Sequence, residues 1–162
     1  MSANRNWQER GEKVFIGTYK RFPATMVRGE GCRLWDAEGR EYVDFLSGIA
    51  VCSLGHCHPA VTEAICRQAG TLMHVSTLFY TAPQIELAEL LTANSFADRV
   101  FMANSGAEAN EAALKLARIH GGPGRFEVIS LSGSFHGRTL ATVAATGQPK
   151  FHQGFEPLPQ GF

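Results

Sequence analysis

Two short stretches of the chain place small residues beside groups that could bind charge. The first is Val100-Phe101-Met102-Ala103-Asn104-Ser105-Gly106-Ala107-Glu108-Ala109. An apolar run gives way at Asn104 to small residues. Ala109, Ala112, Ala113, Leu116 and Ala117 then recur at helical spacing. The pattern predicts a strand feeding a helix whose first turn lies near Ser105. A helix N-terminus carries unpaired N–H groups and about half a positive charge. A phosphate placed there is bound by backbone donors and the dipole, provided that the side chains let it approach. Ser105, Gly106 and Ala107 satisfy that condition, and Ser105 adds a hydroxyl. The same residues have a second reading. Ser105-x-x-Glu108 has the form of a capping box, which asks for no ligand. The two readings are compatible.

The second stretch is Ser132-Gly133-Ser134-Phe135-His136-Gly137-Arg138. Small residues again follow an apolar run, and an aromatic ring, an imidazole and a guanidinium follow within four positions. Phe135 could stack on a planar ligand. Arg138 could hold a carboxylate through a two-pronged hydrogen bond. Alternatively, Phe135 is a core residue and Arg138 lies in solvent. A positive charge at a helix start opposes the dipole, which favours an anionic partner for Arg138.

Elements are needed to position both stretches. A short helix is predicted within Asn6–Tyr19. Arg33-Leu34-Trp35 and Glu41-Tyr42-Val43-Asp44-Phe45 flank Asp36-Ala37-Glu38-Gly39, a tight turn in a hairpin. Gly48 to Gly55 reads as an apolar loop. Pro59 opens a helix reaching about Met73, and a second helix begins near Pro83, with Ile85, Leu87, Ala88 and Leu91 largely on one side. Asp98–Ala103 reads as a short buried strand, and the helix from Gly106 is broken by Gly121-Gly122-Pro123-Gly124. Glu127–Leu131 is the next strand, followed by a helix over Arg138–Ala145 and an irregular tail from Gln148. Strands alternating with helices predict an α/β fold with a parallel sheet. Both loops then emerge at the carboxyl edge of that sheet, where such folds bind ligands. Two parallel strands leave unpaired edges, so the chain is expected to be the front part of a larger protein.

Composition narrows the function classes. At 162 residues the chain can form a domain with a core. Fifteen basic and fifteen acidic side chains cancel, which gives no electrostatic case for nucleic acid or an anionic membrane as partner. No apolar run approaches the ~20 residues of a membrane span. No signal-peptide pattern opens the chain, so a cytoplasmic location is expected. Cys32, Cys52, Cys57 and Cys66 form no Cys-x-x-Cys pair and are expected to be reduced thiols. Cys52, His56, Cys57 and His58 invite a metal-site reading, but adjacent residues rarely converge on one ion, and no metal is expected. A nucleotide-binding α/β protein is the other competitor. Neither Gly-x-Gly-x-x-Gly after a strand nor a Walker lysine motif is present.

The ordered set of motifs resembles the N-terminal part of the class III aminotransferases, enzymes dependent on pyridoxal 5'-phosphate (PLP). The matching runs are Gly29-Glu30-Gly31-Cys32-Arg33-Leu34-Trp35-Asp36, Tyr42-Val43-Asp44-Phe45, Gly48-Ile49-Ala50-Val51 and Leu54-Gly55-His56-Cys57-His58-Pro59. They continue through Asn104–Ala113 and Phe135-His136-Gly137-Arg138-Thr139. The resemblance implies the PLP-dependent transferase fold (fold type I) with an αβα large domain, incomplete here. Residues 1–58 would belong to the small domain and 59–162 to the first part of the large, PLP-binding domain.

By the same resemblance Ser105, Gly106 and Ala107 bind the cofactor phosphate, Phe135 stacks on the pyridine ring and Arg138 grips the substrate carboxylate. The implied reaction transfers an amino group between N-acetylornithine and 2-oxoglutarate; succinylornithine, ornithine or 4-aminobutyrate are alternative donors. The partners would be these small molecules and a second copy of the chain. The family's Schiff-base lysine lies downstream, so no catalytic residue is assigned. Lys13, Lys20, Lys115 and Lys150 stand outside its motif. Residues 1–162 alone are therefore expected to be inactive.

Overall fold

In the computed structural model, which describes residues 2–162, the first helix starts earlier than the pattern suggests. Helix α1 spans Ala3–Val14 because Ser2 caps it, its hydroxyl oxygen accepting from the Arg5 N–H. It stops at Val14, where Phe15 turns extended. Two units follow from the contact pattern, Met1–Phe79 and Tyr80–Phe162.

In the first unit, strands β1 (Met26–Glu30), β2 (Arg33–Asp36) and β3 (Glu41–Val43) form an antiparallel sheet in the order β1-β2-β3. The predicted turn closes β2 onto β3. The Gly39 N–H donates to the Asp36 carbonyl at 2.9 Å, and Gly39 has φ +79°, a left-handed value that suits glycine. Trp35 pairs with Glu41 and Arg33 with Val43. Strand β1 was not expected, since Met26-Val27-Arg28-Gly29-Glu30 lacks the alternation that marks a half-buried strand.

The Asp36 carboxylate is 1% exposed and organises this unit. One oxygen accepts from Asn4 Nδ2 at 2.8 Å, Arg40 Nε at 2.8 Å and the Tyr42 hydroxyl at 2.9 Å. The other accepts from the backbone N–H groups of Glu38 and Arg40. Burial by itself raises the carboxyl pKa, but the hydrogen bonds from Arg40, Asn4 and Tyr42 outweigh it and hold Asp36 well below the usual carboxylate range. Helix α1 is thereby tied to the hairpin by polar bonds rather than by an apolar core.

The segment after the hairpin crosses β1. Gly31 and His56 exchange backbone hydrogen bonds at 3.0 and 2.8 Å. A side chain at Gly29 would come within 2.8 Å of the His56 side chain, and one at Gly55, with φ +85°, within 3.0 Å of the Gly31 backbone. The spacing of those glycines thus records a close approach of two backbones. Asp44 accepts from the Leu46 and Ser47 N–H groups with one oxygen and pairs His56 Nε2 at 2.6 Å with the other. These bonds, His56 first, hold the Asp44 carboxyl below its ordinary range.

Between these anchors the expected loop contains a single turn, α2 (Ser47–Ala50), in which Ser47, Gly48, Ile49 and Ala50 all have positive φ, from 47° to 65°. Helix α3 spans Pro59–Ala69, opened by proline as expected and ended by Gly70 rather than near Met73. The Gly70 N–H closes on the Cys66 carbonyl.

In the second unit, α4 (Ala82–Ala93), α5 (Gly106–Gly121) and α6 (Leu140–Ala145) match the expected helices, and a 3-10 turn covers Pro149–Phe151. Helix α6 begins two residues late because Thr139 is its cap. The two expected strands differ more. Residues 98–103 and 127–131 carry no ladder, and among the described residues β1–β3 form the one sheet. Nor is the first of these stretches buried, since Phe101 is 72% exposed. A strand needs a neighbour for its N–H and C=O groups. In the second stretch the Val128 N–H instead donates to the Gly161 carbonyl at 2.8 Å. The best-buried residues of this unit, Thr142, Val143, Ala145 and Thr146, lie on α6 and its C-terminal edge.

Candidate functional site

Helix α5 starts where the sequence places it. Ser105 is its cap, in extended conformation, and the Ser105 hydroxyl oxygen accepts from the Glu108 N–H at 3.2 Å. The Glu108 carboxylate returns to the Asn104 N–H at 2.8 Å rather than to the Ser105 N–H, as a standard capping box would have it. The cap uses the hydroxyl only as an acceptor, which leaves its proton to donate. Apart from its chain neighbours and its own helix backbone, nothing lies within 4 Å of where a Gly106 side chain would project. The approach to the first turn is open, and its N–H groups have no helical acceptor.

The Phe135–Arg138 loop packs against this turn. A side chain on Gly137 would stand 2.8 Å from Ala107 Cβ, 3.0 Å from Ala107 Cα and 2.7 Å from Thr142 Oγ1, and Gly137 has φ +135°. Glycine is therefore required there twice, for space and for conformation. Asn110 Nδ2 donates to the His136 carbonyl at 2.6 Å, and the Thr139 hydroxyl donates to the Glu111 carboxylate, so two half-buried side chains of α5 fix the loop.

From the other side the His136 N–H donates to Thr146 Oγ1 at 3.0 Å, and the Gly147 N–H donates to the Ser134 hydroxyl oxygen at 3.2 Å. Gly147 admits no side chain, since its Cβ would sit 2.2 Å from the Leu131 carbonyl oxygen. A cleft of about 270 Å³ lies behind the loop, lined by Asn110, Leu114, Val128, Ser130, His136 and Ala145.

The structure thus brings the two stretches together, Ser105, Gly106 and Ala107 on α5 and Phe135 and Arg138 on the adjoining loop. Phe135 is 52% exposed and not a core residue. Arg138 precedes the α6 cap instead of opening the helix, so the dipole argument for its partner does not apply to it. Sequence reasoning missed the residues that hold the loop: Asn110, Thr142, Thr146 and Gly147. Thr139 and Thr142 form a reciprocal cap with threonine in the place usually taken by Glu or Gln. A Thr-x-x-Thr spacing ahead of an apolar run was the available signal.

Two features of the first unit bear on the other readings. His56 is engaged by Asp44, and among the described residues no three His, Cys, Asp or Glu side chains are grouped to hold a metal ion. All four cysteines are free thiols. Among the described residues no helix is long and apolar enough to cross a membrane.

Similarity to known proteins places the chain in a family. Residues 16–162 match the family model "Aminotransferase class-III", and the chain belongs to that family. Its members depend on PLP, and the solved structures it resembles are aminotransferases of fold type I. Among curated relatives the chain is 56% identical to acetylornithine aminotransferase from Thermosynechococcus vestitus, over 93% of this chain and 38% of that protein. It is 55% identical to acetylornithine aminotransferase from Myxococcus xanthus, over 95% of this chain and 39% of that protein. The ornithine aminotransferase of Toxoplasma gondii superposes with a TM-score of 0.92 at 30% identity, over all of this chain and 40% of that one. The chain therefore spans about two fifths of the length of the relatives it matches.

Proposed function

We propose that residues 1–162 supply the phosphate cradle and the carboxylate-binding loop of an enzyme that transfers an amino group between N-acetylornithine and 2-oxoglutarate. The observation that carries this reading is the seating of Gly137 against Ala107, which sets the two loops side by side. The likeness to acetylornithine aminotransferases favours N-acetylornithine over succinylornithine, ornithine or 4-aminobutyrate as the donor. Working in the cytoplasm and as a homodimer is part of the same proposal, as is the division into a small-domain segment, 1–58, and a PLP-binding segment, 59–162.

The open first turn of α5 fits a phosphate. The N–H groups of Ser105, Gly106 and Ala107 and the Ser105 hydroxyl would hold it, with the helix dipole behind them. Phe135 would cover one face of the pyridine ring, and Arg138 would take the substrate carboxylate in a charge-assisted, two-pronged bond. The cofactor, when bound, supplies an electron sink for the substrate α-carbon, and the protein orients and tunes it. The proton-moving lysine is not among these residues.

The test has two arms. The complete reading frame that carries these codons, expressed with PLP, should form glutamate from N-acetylornithine and 2-oxoglutarate faster than from ornithine. Residues 1–162 alone should show no turnover above a no-protein blank. Faster reaction with ornithine would reassign the substrate, and turnover by the 162 residues would overturn the assignment of the catalytic lysine to another segment.

A further inference from the structure

Two residues assigned above to different tasks share one neighbour. Phe151 ends the 3-10 turn Pro149–Phe151 and is half-buried. Its ring centroid lies 5.5 Å from that of Phe135 with the planes at 64°, an edge-on pair. The Arg138 guanidinium carbon lies 5.9 Å from the same centroid, and Lys150 Nζ 5.0 Å from it. Phe135 and Arg138 are both exposed on their loop. An arginine side chain loses rotamer freedom on binding a ligand, and a contact that orients it beforehand lessens that loss.

Phe151, by contrast, is fixed relative to the loop it touches. Gln148 Nε2 donates to the Gly133 and Ser134 carbonyls at 3.2 and 3.1 Å. The Phe151 N–H closes on the Gln148 carbonyl at 3.0 Å, and His152 Nε2 bonds the Thr146 carbonyl at 2.8 Å. Gln148 and His152, on either side of the 3-10 turn, thus pin it to the base of the loop.

We infer that Phe151 is a positioning residue: it holds the Phe135 ring by an edge contact and the Arg138 guanidinium by a cation–π contact, so that one side chain orients both cofactor stacking and carboxylate binding. The inference rests on the roles proposed above for Phe135 and Arg138. A residue that merely packed the 3-10 turn would affect phosphate and carboxylate binding alike. A positioning residue separates them, because the phosphate cradle on α5 does not touch its ring.

The experiment uses the complete protein with Phe151→Leu and Phe151→Tyr, and Phe151→Met as a second non-aromatic change. PLP affinity is read by titration. Carboxylate binding to the PLP-loaded protein is read with glutarate, a dicarboxylate that has no amino or keto group to react. Phe151→Leu and Phe151→Met should weaken glutarate about three- to tenfold, the range of a lost ring–cation contact and an edge-on ring pair. They should alter the circular dichroism of the bound cofactor through Phe135 and weaken PLP less than glutarate, because the phosphate cradle is unchanged.

Phe151→Tyr should restore glutarate binding. In an Arg138→Ala background Phe151→Leu should have no further effect on glutarate. Unchanged glutarate binding in the Leu variant, equal losses of PLP and glutarate, or failure of Tyr to restore would overturn the inference. Wild-type protein that binds no PLP would instead overturn the functional reading beneath it.

Discussion

The hairpin around Asp36 and the loops around Ser105 and Phe135 are built on opposite plans. Around Asp36 one buried carboxylate accepts five hydrogen bonds, from Asn4, Arg40, Tyr42 and two backbone amides, and every polar partner lies within the first unit. Around Ser105 and Phe135 the fixed parts are backbone, glycines and threonines, while the side chains proposed to meet ligands stay exposed. The first arrangement saturates its polar groups and has nothing left to offer a ligand. The second satisfies the groups that set its shape and keeps the open first turn of α5 and the Ser105 proton available. A structural knot and a ligand site thus differ in where polar groups are left unspent.

Both tryptophans, Trp7 and Trp35, lie in the first unit, so tryptophan fluorescence reports on the Asp36 knot and PLP titration on the loops. The largest effect expected is from Asp36→Ala. It strands the donors of Asn4, Arg40 and Tyr42 and should lower the fluorescence melting temperature by on the order of 10 °C, with PLP affinity unchanged. Loss of PLP binding in that variant would break the comparison.

Gly137→Ala should do the reverse. Its Cβ collides with Ala107 and its φ of +135° is strained for alanine, so PLP affinity should fall about tenfold or more while the fluorescence melt stays put. Ser105→Ala removes a cap worth about 1 kcal/mol and one phosphate donor. PLP should bind roughly five- to tenfold more weakly, measured by titration at fixed salt.

The smallest effect is in acid. Asp36 and Asp44 both titrate below their ordinary value when folded, so the unfolded chain binds protons first as pH falls. Their stabilisation is complete above about pH 4–5 and is lost as pH drops through the depressed folded values. Tryptophan fluorescence at falling pH should show this loss, and Asp36→Asn should flatten much of it.

The parts legible in the sequence were those governed by neighbours along the chain. The Asp36–Gly39 turn, the proline starts of α3 and the cap at Ser105 each need only a few adjacent residues. The small residues that leave the first turn of α5 open were legible for the same reason. Features that depend on distant partners were not. Strand β1 is defined by its pairing with β2, and nothing in Met26–Glu30 announces that pairing. Residues 98–103 and 127–131 have the composition of strands, but composition cannot supply the neighbour that completes a ladder. Likewise Asn110 and Thr146 are unremarkable letters until the loop at His136 is folded against them.

The turn at Ser47–Ala50 reverses the usual ranking of residues. Left-handed helical backbone costs an L-amino acid roughly 1–2 kcal/mol per residue and costs glycine almost nothing. Ile49 has φ 65° and is 90% exposed, so it has little packing to set against that cost. Within this one turn the helix-propensity scale runs as in a mirror. Glycine, or a residue of D configuration, becomes the preferred occupant of position 49, and a β-branched L-residue the least suited.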